Sequence, residues 1–261
     1  MTPAASNAPD VPFIAVVLAA GLGKRMNSDL PKVLHQALGR PLLHHVLGHV
    51  APLHPARVVV VVGHRAPLVM ESLAGRPDVR FATQAPQLGT GHAVQVAWGE
   101  IEPAADAGPG TVLVLAGDMP LVRTATLRAL LARHAREGNA VTFLSGLLDD
   151  PAGYGRVLRG PDGGFRRIVE ERDATPGERA VREVNSGVYC FGRGPLKEAL
   201  ASLRADNQQQ EYYLTDTLSW LLGRGGRIGV ELAGDARELF GVNTPQQLAM
   251  VESVLREWGE G

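Results

Sequence analysis

Short apolar runs without alternation recur along the chain, at residues 13–18 (FIAVVL), 57–62, 111–115 and 140–144. A strand covered on both faces needs no polar side, so each run predicts a strand inside a sheet. Between the runs the apolar positions take helical spacing. Leu42, Leu43, Val46, Leu47 and Val50 form one stripe, Ala93, Val94, Val96 and Ala97 a second, and Leu127, Leu130 and Leu131 a third. Strand and helix thus alternate over roughly the first 145 residues, the mark of βαβ crossovers. The expected fold is α/β, a Rossmann-like, mostly parallel sheet flanked by helices.

The second half is less regular. Strand-like pieces at 156–159, 165–169 and 188–191, with the turn Pro161-Asp162-Gly163-Gly164, predict a smaller antiparallel lobe over one end of the sheet. Helices are expected at 212–223 and 245–258, the latter capped by Thr244 with proline in its first turn. Residues 1–12 (MTPAASNAPDVP) have neither a basic nor an apolar segment and predict a disordered tail, not a signal peptide. The expected organisation is tail 1–12, one two-lobed domain 13–244 and a C-terminal helix 245–261.

Composition narrows the function classes. In 261 residues, 26 Lys+Arg meet 27 Asp+Glu, so no basic surplus exists to displace counterions from nucleic acid or an anionic membrane. A single cysteine, Cys190, excludes an internal disulfide and fits a reducing, cytoplasmic compartment. Apolar runs fall far short of the ~18 residues that cross a bilayer. His45 and His49 stand at i, i+4 but lack a third ligand nearby, and Trp98, Trp220 and Trp258 read as packing residues.

The chemistry is concentrated after the first strand, where residues 18–26 read LAAGLGKRM. Small residues bring backbone N–H groups close to a ligand, and Arg25 and Lys32 add cations suited to a polyphosphate. A dinucleotide fingerprint fails because Met26 stands where a small residue is needed. A P-loop fails because Lys24 is followed by Arg25, not Ser or Thr. A nucleotidyltransferase loop and a plain βα turn are left. Asp118 follows the apolar run VLVLAG, at the end of a strand facing the binding crevice, where a carboxylate either holds Mg²⁺ or caps the next turn.

Residues 18–35, LAAGLGKRMNSDLPKVLH, closely resemble the signature of sugar-1-phosphate nucleotidyltransferases. The likeness continues through QAPQLGTGHA at 84–93, GDMPL at 117–121, GYGR at 153–156, IVE at 168–170, EVNSG at 183–187, EYYLTD at 211–216 and GVN at 241–243. Within that superfamily the chain is most similar to the N-acetylglucosamine-1-phosphate uridylyltransferase domains. The resemblance implies a nucleotide-diphospho-sugar transferase fold and the reaction of UTP with N-acetylglucosamine 1-phosphate, giving UDP-N-acetylglucosamine, a cell-wall precursor, and diphosphate. It assigns Mg²⁺ to Asp118 and Asn243, and the nucleotide to Leu18, Ala19, Ala20, Gly21, Gln84, Gly89 and Thr90. Arg25 and Lys32 hold the triphosphate, and the sugar side falls to Gly117, Gly155, Glu170, Asn185 and Asn243. An ionised sugar phosphate needs no general base, so the missing Ser-His-Asp or Cys-His motif is no gap.

Two positions depart from that family pattern: Lys24 replaces a common threonine, and Ala116 a frequent tyrosine. No hexapeptide repeat follows, so acetyl-CoA chemistry is not expected. The chain is expected to be a monomer or weak oligomer, and a trimer only with a β-helix domain. Alternatives are a relative acting on glucose 1-phosphate or another base, and an inactive nucleotide-sugar sensor. Retention of Arg25, Lys32, Asp118 and Asn243 argues against the sensor.

Overall fold

The computed structural model describes residues 12–102 and 110–259, the side chain of Lys24 excepted. The expected tail (but for Pro12) and the extra Lys24 charge lie outside the described residues. Strands are β1 (Phe13–Ala19), the two-residue β2 (Gln36–Ala37) and β3 (Arg40–Pro41), β4 (Arg57–Val62), β5 (Val79–Thr83), β6 (Thr111–Ala116), β7 (Val141–Leu147), β8 (Arg156–Arg159), β9 (Phe165–Val169), β10 (Glu183–Gly192) and β11 (Ile228–Leu232). Helices are α1 (Leu42–Val50), α2 (Ala66–Ser72), α3 (Thr90–Ile101), α4 (Thr124–Glu137), α5 (Pro176–Arg179), α6 (Arg193–Ser202), α7 (Asp216–Gly223) and α8 (Pro245–Glu257).

The central sheet runs β11-β7-β10-β6-β1-β4-β5. Parallel pairs join β1 to β4 and β6, β4 to β5, and β7 to β11, whereas β10 is antiparallel to both its neighbours. Burial on both faces explains the continuous apolar runs. Phe13, Ala15 and Val17 pack with Leu43, Val46 and Leu47 of α1 and Leu127 and Leu130 of α4. Ile14 and Val16 pack on the opposite face, with Val94 and Ala97 of α3, Leu196 of α6 and Leu218 of α7. A third, smaller cluster joins Met26 and Leu42 to Val251, Val254 and Leu255 of α8.

The expected lobe strand at 188–191 is instead the end of β10, inside the main sheet. Its alternate side chains divide between the two large clusters, Val188 and Cys190 on one side and Tyr189 and Phe191 on the other. Such two-sided burial identifies a central strand but is silent on its direction. A register shift separates Asn185 from Tyr189. Before it, Val184 pairs with Arg156 and thereby attaches the antiparallel β8–β9 hairpin. The helix expected at 212–223 begins at Asp216, because Tyr212 N–H donates to Leu88 O and Tyr212 O accepts from Gly91 N–H. Those two bonds hold an extended strap across the sheet's end. Thr244 caps α8 as expected, accepting from Gln247 N–H. No helix among the described residues is long and apolar enough to cross a membrane.

Candidate active site

The site lies beyond the carboxyl ends of β1, β5 and β6, where open parallel sheets bind ligands. After β1 the chain turns at Gly23 (φ 61°) into a 3-10 turn, Lys24–Met26, and leaves it at Asn27 (φ 51°). A Cβ on Gly23 would stand 2.9 Å from Lys32 Cβ, so glycine lets the loop close onto that lysine. Met26, 4% exposed, plugs the third cluster and anchors the loop's far end. Its near end is tied down as well: Leu18 O accepts from Gly117 N–H at 2.9 Å, and Ala20 O from Gln87 Nε2 at 2.7 Å.

Asp118 and Asn243, far apart in sequence, meet here. Lys32 Nζ donates to Asp118 Oδ2 and, at 2.9 Å, to Asn243 Oδ1. Backbone bonds fix the meeting point, since Val242 N–H donates to Asp118 O at 2.9 Å and Asn243 N–H to Gln247 Oε1 at 2.8 Å. The carboxylate and the amide oxygen therefore already accommodate one cation between them. Two hard oxygens of this kind suit Mg²⁺, which takes its other ligands from water and phosphate.

Two cavities share Ala116 and Asp118. The larger, about 360 Å³, is lined by residues 18–21, Lys32, Gln84, Gly89 and Thr90, which brings the expected nucleotide ligands together. The smaller, about 190 Å³, is lined by Arg25, Tyr154, Ser186 and Asn243 among others. Arg25 is exposed and pairs with none of the described residues. Gly117 lines neither cavity; it is packed behind them against Leu18 O and the side chains of Val33 and Leu43.

At the far end of the larger cavity Gln84, 4% exposed, donates from Nε2 to Gly89 O at 2.9 Å and to His92 Nδ1 at 3.2 Å. With its NH₂ spent internally, the amide has its oxygen to offer as an acceptor. Thr90 Oγ1 accepts from Leu214 N–H at 3.1 Å and keeps its own proton to donate.

The other expected sugar residues form a separate cluster. Asn185 N–H donates to Gly155 O at 2.9 Å, and a Cβ on Gly155 would stand 3.3 Å from Glu170 Oε2. Both ends of the Asn185 amide are engaged, Nδ2 by Tyr189 Oη at 2.6 Å and Oδ1 by Gly187 N–H at 3.3 Å. Glu170 Oε1 accepts from Thr215 Oγ1 at 2.9 Å. Burial, with Asp216, Asp173 and Glu211 nearby, pushes the Glu170 carboxyl above its ordinary range, against the opposing pull of the Thr215 bond. The folded protein therefore binds this proton more tightly than the unfolded chain does. Wild type should lose stability relative to Glu170→Gln as pH rises from the ordinary value near 4.5 to the raised one, measured as denaturant midpoints across pH.

Some lining residues escaped sequence reasoning. Gln87 and Glu211 border the larger cavity, and Tyr154 and Ser186 the smaller. All four fall inside motifs that the resemblance had marked, so the signal was proximity to assigned residues rather than any chemistry of their own. The remaining candidates are structural: His45 Nε2 donates to Ala37 O, Cys190 is buried, and Trp258 stacks under Arg123 at 3.5 Å.

Residues 15–213 match the MobA-like NTP transferase domain family. A bifunctional protein GlmU of Streptomyces griseus is 49% identical over 248 residues, covering 94% of this chain and 51% of its own length. The bifunctional protein GlmU of Caldanaerobacter subterraneus is 45% identical over 94% of this chain and 52% of its own. The chain spans about half the length of the curated relatives it matches. Among solved structures, a Bacillus anthracis protein described as a glucose-1-phosphate thymidylyltransferase superposes with a TM-score of 0.73 at 16% identity, over 94% of this chain and 96% of its own. HddC from Yersinia pseudotuberculosis gives 0.68 at 19%, over 93% and 99%. At such identities the likeness is one of fold, a nucleotidyltransferase-type α/β sheet. With the family match covering most of its length, this chain belongs to the MobA-like NTP transferase domain family.

Proposed function

We propose that the chain transfers uridylyl from UTP to N-acetylglucosamine 1-phosphate, releasing diphosphate. The observation that carries this reading is the convergence of Asp118, Asn243 and Lys32 at the boundary of two adjoining cavities. Relatives at 45–49% identity that bear the name bifunctional protein GlmU support it. Bound between Asp118 and Asn243, Mg²⁺ would neutralise phosphate charge and polarise the α-phosphate.

The chain's own residues do the rest. Backbone N–H groups at residues 18–21 and the Lys32 ammonium hold the triphosphate in the larger cavity, with Arg25 facing it from the smaller. Glu170 and the Asn185 region bind the sugar hydroxyls and acetamide, which aims the phosphate oxygen along the line of displacement. That oxygen, already ionised, attacks the α-phosphorus. The bond from the α-phosphorus to the bridging oxygen breaks, and diphosphate leaves against Lys32 and Arg25. Positioning and charge stabilisation supply the catalysis.

Base choice falls to Gln84. Its amide oxygen accepts the N3–H of uracil but faces a lone pair at N3 of cytosine. Gln84→Ala should lower the UTP-to-CTP preference in kcat/KM by about tenfold or more, the worth of a buried hydrogen bond with its repulsive counterpart. An unchanged preference would remove Gln84 from base recognition. The reading as a whole is tested by a diphosphate-release screen of four nucleoside triphosphates against several sugar 1-phosphates with Mg²⁺. Release confined to UTP with N-acetylglucosamine 1-phosphate is expected; release with another pair reassigns base or sugar, and no release with any pair refutes the activity.

A further inference from the structure

Lys32 has two places to put its ammonium. One is between Asp118 Oδ2 and Asn243 Oδ1, where it is bound in the structure. The other is the larger cavity, which Lys32 also lines and which is the one proposed above to take the triphosphate. Its backbone is fixed by the 3-10 turn Lys32–Leu34, whose Val33 and Leu34 are buried, and its Cβ lies under Gly23. Only the outer methylenes are left to swing. The side chains of Lys32 and Asp118 are 16% and 13% exposed, so water does little to screen the pair.

Lys32 occupies Asp118 Oδ2 and Asn243 Oδ1, the oxygens a bridging divalent ion would need. Repulsion between two cations at that range in a partly buried site disfavours their sharing them. We propose that Lys32 is an internal competitor for the divalent cation. On this view, which rests on the metal assignment proposed above, the lysine satisfies Asp118 and Asn243 until an ion arrives, then moves to the phosphates. Divalent binding to the nucleotide-free protein is weak, because it must break two charge-assisted hydrogen bonds. A triphosphate gives the displaced ammonium a new partner, so each ligand strengthens the other, and reciprocally. Lys32 thereby acts as a positioning residue for the cation before it contacts any phosphate.

The test is Mn²⁺ binding to the full chain without nucleotide, followed by electron paramagnetic resonance. Lys32→Met keeps the aliphatic stem and should bind Mn²⁺ about tenfold more tightly than wild type, the scale of one charge-assisted hydrogen bond. Arg25→Met removes a cation that borders the smaller cavity beside Asp118 and Asn243 but touches neither oxygen, and should change affinity by no more than about threefold. Equal gains in the two variants, or none in Lys32→Met, would overturn the exchange. Asp118→Asn added to Lys32→Met should abolish the gain. Identical affinity in every variant, Asp118→Asn included, defeats the metal assignment along with the exchange. In wild type the nitrogen resonance of the Lys32 ammonium should shift on Mg²⁺ addition; a constant signal while the Asn243 amide shifts would also overturn it.

Discussion

Alanine at position 118 is expected to reduce turnover by roughly a thousandfold or more, since removing the carboxylate proposed to hold the metal takes away several kcal/mol of transition-state stabilisation. The fold should survive. The contact that joins Asp118 to the 241–243 segment, Val242 N–H to Asp118 O, belongs to the backbone and does not need the carboxylate. Diphosphate release with Mg²⁺, set beside the circular dichroism and melting curve of the same sample, separates the two effects. Near-normal rates would remove Asp118 from the chemistry.

Gly89→Ala should act through structure instead. Gly89 has φ 101° and ψ 176°, a region that only glycine occupies readily. A Cβ there would stand 2.7 Å from Tyr212 O, 2.8 Å from Glu211 Cβ and 2.9 Å from Tyr212 N. Two of those neighbours are backbone, held by the Leu88–Tyr212 and Gly91–Tyr212 bonds, so they cannot yield cheaply. Backbone strain and overpacking together should cost about 3 kcal/mol or more. The strap at 211–215 would lift, carrying Thr90 and the Gln84 contact with it. A lower denaturant midpoint and a raised KM for UTP are expected together; a variant with normal stability would show that the strap accommodates the methyl.

Much of this was legible in the chain. The unalternating runs marked β1, β4, β6 and β7 because each is buried on both faces, and β4, β8 and β9 fall at the expected bounds. Less visible were β5 and β11, at the two edges of the sheet, whose sequences VRFAT and IGVEL mix polar and apolar positions as half-covered strands do. Helices α2 and α6 each carry a proline in an early turn and expose much of their surface, so their apolar stripe is thin. The direction of β10 is a tertiary property that no local pattern encodes.

Site residues divide in the same way. Glycine, arginine and lysine after β1 point toward a phosphate loop, but a plain βα turn stays open until the resemblance is added. Asn243 carries no signal of its own, and only the resemblance brought it beside Asp118. The engagement of Asn185 by Tyr189 and Gly187 depends on the shifted register of β10, which spacing along the chain cannot reveal.

Met26 and α8 have a final consequence for how this chain can be shortened. The loop after β1 rests on α8, where Met26 packs with Val251, Val254 and Leu255. Trimming α8 would therefore not be the removal of a loose appendage. It would take the floor from under the loop proposed to hold phosphate, so α8 acts as the foundation for a site built much earlier in the chain.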